Sequence, residues 1–583
     1  MEDQTPESGI KSKISTYFKA FDEENPPLPS NPFTGLTYAK SIAEIVRLHG
    51  DREALVFRDY RYTFRDLQKE ADLMSARFAA LGLKRGDHVS ILLPNRPEFL
   101  WCWLGAAQMG LVVVMINTRL KGEEIAYQLD QSDSCAVIVP GQGAFRDFIG
   151  EIGELAPAVR TGNAGKLGSG RLPKLRWVIA LDHPGNDYSG VTDWSLPTEP
   201  GLDLPDMVDD VNCAGIIGYS SGTTALPKGA VLSHQVWRKA WDIGTPVDFT
   251  ENDCLYMAIP LFGSMATMNG AMTLWVRGGK VVLGEQFDAG ACLRAIEHER
   301  VTVMHLLPPI VRQLLDHPDF QERDRSSLRI GYVLSIDPDV LDAVSDRLGI
   351  PGMMTGYGLT ETSTVLTRNR WDDPREVRHS TQGRPLPDIE LSIRTPENGE
   401  PLGAGETGEI WARGYCNMLE YYKKPEETAK TLTPEGWLRT GDLGFFREDD
   451  RLVFVGRHGE GYKSRGFNVA PSEIEHAINA RTEVEASAVV GIPWPGENDI
   501  GIAYVKLRPG HELSEDALLS DLKSRLASYK LPRHVYFIDE FPLTSGTGKI
   551  QKYKLRADAA ERLGVTLEPT LARNLQGSLQ PAS

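Results

Sequence analysis

A chain of 583 residues exceeds what one hydrophobic core can organise, so two or more domains are expected. With 41% hydrophobic and 25% charged residues the composition is that of a water-soluble globular enzyme. The formal net charge of −17 argues against nucleic acid or an anionic membrane as the main partner, and any anion-binding basic residues must be clustered locally. The N-terminal residues are acidic and polar and lack the charged-then-apolar pattern of a signal peptide, so no export is expected. Cys102, Cys135, Cys213, Cys254, Cys292 and Cys416 show no C-x-x-C spacing, which speaks against a zinc site or a disulfide framework and fits a reducing cytoplasm.

The most apolar stretch, residues 99–116, is interrupted by Gly105, Gln108 and Gly110. It predicts a helix over 98–109 running into a buried strand over 111–116, not a membrane span. From about Ser41 to Arg457, helical stretches alternate with β-branched runs at 89–93, 111–116, 135–139, 177–181, 280–283 and 301–306. This alternation predicts a large α/β N-terminal domain whose strands carry ligand-binding loops to one face. The glycine-rich segment 162–170 has Leu167 where a phosphate loop needs Ser or Thr, and reads as a flexible surface loop.

Residues 219–230, Tyr-Ser-Ser-Gly-Thr-Thr-Ala-Leu-Pro-Lys-Gly-Ala, are the most informative segment. Glycine lets backbone N–H groups turn toward an anion, the hydroxyls donate further hydrogen bonds, and Lys228 supplies a point charge, which together make a phosphate cradle. The spacing is not that of the common P-loop. Further on come Gly356-Tyr-Gly-Leu-Thr-Glu-Thr362, Gly436-Trp-Leu-Arg-Thr-Gly-Asp442, Gly456-Arg457 and Pro542-Leu-Thr-Ser-Gly-Thr-Gly-Lys549.

These five motifs, in this order and over nearly the whole chain, resemble the adenylate-forming superfamily of acyl-CoA synthetases, adenylation domains and beetle luciferases. The resemblance implies an N-terminal domain (1–456) of mixed sheets flanked by helices and a small mobile α+β C-terminal domain (457–583), hinged near Gly459. It implies attack of a carboxylate on the α-phosphorus of ATP to give an acyl-AMP and pyrophosphate, followed by thioester formation with CoA. The β- and γ-phosphates fall to Ser220, Ser221, Gly222, Thr223, Thr224 and Lys228, with Ala225 standing where relatives carry Gly or Ser. Tyr357 is placed against adenine, Thr360 on phosphate, Glu361 on Mg²⁺, Asp442 on the ribose hydroxyls and Arg457 opposite it. Lys549 is placed on the reacting carboxylate and α-phosphate. A lone carboxylate suits magnesium, which takes its remaining ligands from phosphate and water.

The segment Ile259-Pro-Leu-Phe-Gly263-Ser-Met265 matches the border of the acyl pocket in the same superfamily. Gly263 replaces the Asp that amino-acid-activating relatives use and the His or aromatic of many acyl-CoA ligases, which disfavours an amino acid and suggests a medium-chain, alicyclic or aromatic acid. Met265, Met268 and Met272 read equally well as pocket wall or core, and Ser335 and Ile336, with Asp337, stand where relatives have a glycine-rich stretch beside the acyl group. In Lys463-Ser-Arg-Gly-Phe-Asn-Val469, Gly466 matches the glycine that pantetheine passes, and Arg465 is a candidate for a CoA phosphate. Beyond it, Ser472 and Glu475 read as a capping box, and Leu518, Leu519, Leu522 and Leu526 as a core-facing stripe. The expected partners are ATP, Mg²⁺, CoA and a small carboxylic acid, with no nucleic acid, no integral membrane segment and a homodimer as a candidate assembly. Transfer of the acyl group to a carrier protein acting in trans, and more remotely a luciferase-like oxygenation, are the alternative fates of the adenylate.

Overall fold

The computed structural model describes residues 30–195, 204–220, 226–335, 338–396, 398–457, 461–469, 471–495, 497–542, 550 and 552–567. Two large sheets dominate the N-terminal part. The first has seven strands in the order Gly352–Met354, Ile330–Val333, Val303–Leu306, Cys254–Met257, Lys280–Leu283, Glu53–Phe57 and Tyr60–Thr63. Its neighbours run parallel except for the last pair, a hairpin. The second has eight strands: Glu420–Tyr421, Lys228–Ser233, Ala214–Ser220, Val112–Met115, His88–Ile91, Ala136–Val139, Trp177–Ala180 and Val191–Asp193. Its first two pairings are antiparallel and the rest parallel. Both sheets are therefore mixed and flanked by helices.

Successive strand residues point to opposite faces, and here both faces are covered. In Val112–Met115, Val113 and Met115 enter the main core between the sheets, while Val112 and Val114 enter a second core on the outer side. Burial on both sides is why these strands read as unbroken apolar runs in the sequence. The helix Pro97–Gln108 starts on a proline and is buried from Phe99 to Gln108, with Trp101 and Trp103 in the main core. A helix apolar all round is a core element, and among the described residues no helix is long and apolar enough to cross a membrane. The segment 162–170 departs from its expected looseness, because Leu167 is completely buried in the second core and pins it down.

A four-stranded antiparallel sheet, Ile389–Arg394, Gly408–Gly414, Leu438–Phe446 and Leu452–Arg457, ends the large part of the chain. After it come the hairpin Tyr462–Ser464 with Phe467–Val469, the sheet Val484–Pro493, Asp499–Leu507 and His534–Phe537, and three helices, Pro471–Asn479, Glu515–Arg525 and Lys552–Leu563. This is the small α+β unit. The helix starts at Pro471, where a missing N–H costs nothing, so Ser472 stands within its first turn rather than before it. Glu475 is structural in another way. Its Oε1 accepts the Val489 N–H at 2.6 Å and lies 2.7 Å from Lys552 Nζ, tying the helix to a strand and to the last helix. Leu518, Leu522 and Leu526 are buried and Leu519 half-buried, as a core stripe requires.

Candidate active site

The predicted phosphate loop joins two antiparallel strands whose ends are held together, with Ser220 in register with Lys228. Ser221, Gly222, Thr223, Thr224 and Ala225 lie outside the described residues, as does the side chain of Ser220. Lys228 is buried, with Nζ 2.7 Å from Glu427 Oε2 and 4.9 Å from the centre of the Tyr421 ring. The Tyr421 hydroxyl donates to Glu361 Oε1 at 2.8 Å. One tyrosine thus links the lysine of the phosphate loop to the predicted magnesium ligand, and neither Tyr421 nor Glu427 was marked by any sequence motif.

Thr360 and Glu361 sit in the single turn Thr360–Thr362 that follows the strand Gly356–Leu359. The turn is over-determined: Thr362 Oγ1 donates to the carbonyls of Leu359 and Thr364, and the Met418 N–H donates to the Glu361 carbonyl at 2.7 Å. Ser363 and the β-branched Thr364 hold φ of 50° and 76°. Such strain persists only where the surroundings enforce it, and it collects at active sites. The phosphate-loop strand reaches this turn because residue 218 is glycine; a Cβ there would come 2.7 Å from Thr360 Cγ2. Glu361 is only 6% exposed. Among the described residues no group of three or more His, Cys, Asp and Glu side chains is placed to hold a metal. One nearly buried carboxylate fits a magnesium ion that takes its remaining ligands from phosphate and water.

On the nucleoside side, the Tyr357 ring stacks at 5.7 Å and 25° against Phe454, and its hydroxyl donates to Asp442 Oδ2 at 2.8 Å. Asp442 is in register with Arg457 across the strands Leu438–Phe446 and Leu452–Arg457. The Asp442 N–H is held by Thr440 Oγ1, itself bonded to the Ile410 carbonyl. The structure thus joins Tyr357 to Asp442 directly, 85 residues apart.

In the predicted acyl border, Gly263 precedes the short helix Ser264–Ala266, and among the described residues a Cβ there would meet only the Pro260 carbonyl, at 3.4 Å. Asn95 pins this segment, donating to the Ile259 and Gly284 carbonyls and accepting the Leu261 N–H at 2.8 Å. Met265 is half-buried, whereas Met268 and Met272 are buried in the main core. Ser335 follows the strand Ile330–Val333 and is half-buried; Ile336 and Asp337 lie outside the described residues.

The hairpin of the small unit reaches into the large one. Gly466 holds φ of 83°, and a Cβ on it would come 2.9 Å from Leu307 Cδ1. Only glycine meets both demands comfortably. Phe467 stacks on Tyr529 at 4.5 Å and carries the Arg119 guanidinium 4.9 Å above its ring, while Asn117 Nδ2 donates to the Tyr529 hydroxyl. Lys463 is near enough to Asp442 for their charges to interact. Arg465 is exposed. Lys530 closes the contact: its Nζ lies 2.8 Å from Glu124 Oε1 of the large unit and 2.8 Å from Glu473 Oε2 of its own. Burial raises the pKa of Glu473 and Lys530 opposes that shift. Lys549 and Gly459 lie outside the described residues.

The large mixed-sheet α/β part and the small α+β unit make the fold of the adenylate-forming enzymes. Two family models match the chain, AMP-binding enzyme over residues 42–422 and AMP-binding enzyme C-terminal domain over residues 473–549. It is 32% identical over 543 residues to the putative acyl-CoA synthetase YngI of Bacillus subtilis (strain 168), covering 91% of this chain and 98% of that one. It is 30% identical to the 3-[(3aS,4S,7aS)-7a-methyl-1,5-dioxo-octahydro-1H-inden-4-yl]propanoyl:CoA ligase of Rhodococcus jostii (strain RHA1), over 90% of this chain and 98% of the relative. Among solved structures, the amide bond synthetase McbA from Marinactinospora thermotolerans superposes with a TM-score of 0.77 at 27% identity, covering 90% of this chain and 99% of the other. The chain belongs to the AMP-binding enzyme family, and it is an AMP-forming acid:thiol ligase that works through an acyl-adenylate.

Proposed function

We propose that this ligase joins a medium-chain, alicyclic or aromatic acid to CoA in the cytoplasm, and that the residues above divide the work as follows. The carboxylate attacks the α-phosphorus, pyrophosphate leaves, and the thiol of CoA then displaces AMP from the acyl carbon. The first step brings two anions together, so its barrier falls when fixed cations and donors surround the α-phosphate. Lys228 with Ser220, Ser221, Gly222, Thr223 and Thr224 holds the β- and γ-phosphates. Thr360 donates to phosphate. Glu361, oriented by Tyr421, holds magnesium, which when bound neutralises charge on the triphosphate. The Tyr357 ring lies on adenine, Asp442 accepts from the ribose hydroxyls, Arg457 faces the ribose or phosphate, and Lys549 enters for adenylation. Gly466 and Arg465 serve CoA, and the small domain, starting near residue 457, turns about Gly459 between the two steps.

The observation that carries this reading is the Lys228–Tyr421–Glu361 link, which puts the two charged groups of separate motifs around one ring. Tyr421→Phe removes the hydrogen bond to Glu361. Bonds to charged groups are worth about 1.5–3 kcal/mol, so KM for Mg·ATP is expected to rise about tenfold or more, read by pyrophosphate release. An unchanged KM removes Tyr421 from the magnesium site.

Gly263 supports a wide acyl entrance, since among the described residues nothing but the Pro260 carbonyl approaches its missing side chain. The Rhodococcus relative, whose name gives it a ring-bearing propanoyl substrate, supports a cyclic acid. Gly263→His is expected to shift kcat/KM toward linear acids by about tenfold, as a pocket-filling change does. An unchanged cyclic-to-linear ratio, measured on matched acids, counts against this border. The similarity to an amide bond synthetase supports a second acceptor class, amines, which product mass spectrometry with CoA or an amine present separates from the first.

A further inference from the structure

Beyond Met265 lies a group of buried polar side chains that none of these steps uses. His305 and Tyr332 are register partners on adjacent strands, with ring centroids 5.7 Å apart. The Arg368 guanidinium lies over the Tyr332 ring at 4.5 Å; its Nη2 donates to Asn269 Oδ1 at 2.8 Å and its Nη1 to the Ile243 carbonyl at 3.1 Å. Asn269 directs its Nδ2 at the Met265 sulfur, 3.0 Å away. A Cβ on Gly270 would stand 3.3 Å from the Met265 carbonyl and 3.4 Å from His305 Cε1. Asn269 and Gly270 belong to the π-helical turn Thr267–Met272. Such turns are frequent at functional sites, where they displace backbone that an α-helix would keep in line. His305, Asn269 and Arg368 therefore converge on Met265, two residues from Gly263.

These groups are deeply buried yet incompletely satisfied. His305 is 5%, Arg368 4% and Asn269 1% exposed. Among the described residues, His305 Nδ1 and Arg368 Nε have no hydrogen-bond partner. Leaving a buried donor unmet costs about 1–3 kcal/mol, and more for a charged one. Arg368 keeps its proton, and the side chain that offsets its burial is Tyr332, not a carboxylate. Burial, helped by Arg368, lowers the pKa of His305 to about 3 against the opposing pull of the Met265 backbone, so the imidazole is neutral. With its other ring nitrogen donating to the Met265 carbonyl, His305 Nδ1 is a bare acceptor, and beside the unmet Arg368 Nε–H donor it suits one hydroxyl, which both gives and accepts, better than a bidentate carboxylate. Met265, unbranched and half-buried, is the side chain such a ligand displaces, and methionine adapts readily.

We propose that His305 and Arg368, positioned by Asn269 and Tyr332, form a polar subsite of the acyl pocket that binds a hydroxyl group on the acid, the Arg368 Nε–H donating to its oxygen and His305 Nδ1 accepting its proton. The substrate is then an oxygenated ring acid rather than a plain hydrocarbon one. This rests on the acid:CoA ligase reading above, and apolar pockets with a few placed polar groups commonly fix orientation in this way.

The test compares cyclohexanepropanoic acid, its ring-hydroxy derivative and its ring-carboxy derivative, beside linear fatty acids, with the full-length protein, Mg·ATP and CoA. Rates come from pyrophosphate release and products from mass spectrometry, for the wild type, His305→Phe and Arg368→Met. The wild type is expected to favour the hydroxy acid over the hydrocarbon acid by at least about tenfold in kcat/KM, because a site built to hydrogen-bond discriminates against a ligand that leaves it unpaired. His305→Phe brings that ratio near unity; if Arg368→Met does not fold, this variant and the wild type decide the matter. Equal use of the two acids, preference for the ring-carboxy acid, or a ratio that survives His305→Phe overturns the subsite. Adenylates from linear acids alone also overturn the subsite but leave the ligase reading standing, whereas no adenylate from any acid overturns both.

Discussion

Lys549→Ala is expected to lower acyl-AMP formation by about a thousandfold or more while conversion of supplied acyl-AMP to acyl-CoA stays within about threefold. The asymmetry follows from charge. Only the first step drives a carboxylate onto a phosphate, and cations placed on such transition states contribute about 10³–10⁵ in rate. The second step consumes a neutral acyl carbon and a thiol, with the hairpin around Gly466 against Leu307 rather than the Lys549 loop proposed to serve it. Pyrophosphate release and thioester formation, measured separately, check the prediction. Equal loss in both steps removes Lys549 from its assigned place.

The second large effect is expected at Lys530, and it runs the opposite way. Lys530 is 4% exposed and is shared between Glu473 beside it and Glu124 in the large domain. Removing one member of a buried charge cluster leaves the others uncompensated, at a cost of about 3–5 kcal/mol. Part of that cost falls on the small domain itself, through Glu473, and part on its docking, through Glu124. Lys530→Met is therefore expected to lower thermal stability and to slow thioester formation about tenfold or more, with adenylation changed less. Glu124→Gln, which keeps an amide oxygen for the Lys121 N–H that Glu124 Oε2 accepts at the start of its helix, is expected to reproduce the kinetic effect with little loss of stability. The double variant should be no slower than the worse single one, since contacting residues are not additive. Adenylation falling as far as thiolation in Glu124→Gln counts against a docking role.

The local half of this molecule is legible in its sequence. The strand at 280–283 is found as expected, and those at 89–93, 111–116, 135–139, 177–181 and 301–306 are found within two residues, because a strand buried on both faces leaves an unbroken β-branched run. The motifs around residues 219–230, 356–362 and 436–442 also come together, through the Gly218–Thr360 approach and the Tyr357–Asp442 bond. What the sequence conceals is pairing over distance. Lys228 meets Glu427 199 residues away, and Lys530 meets Glu124 406 residues away; surface acids of the same type are common, and nothing local distinguishes these. The helix start is displaced for a different reason, since Pro471 begins the helix one position before Ser472. The π-helical turn at Thr267–Met272 is likewise invisible, as its residues carry an ordinary apolar helical pattern.

The measurement that tests the central claim most directly is mass spectrometry of products after incubation with Mg·ATP and a mixed panel of fatty, alicyclic and aromatic acids, with and without CoA. The account predicts an acyl-AMP and pyrophosphate without CoA, and an acyl-CoA with AMP when CoA is added. ADP and phosphate as products, or no acid-dependent cleavage of ATP at all, would contradict it.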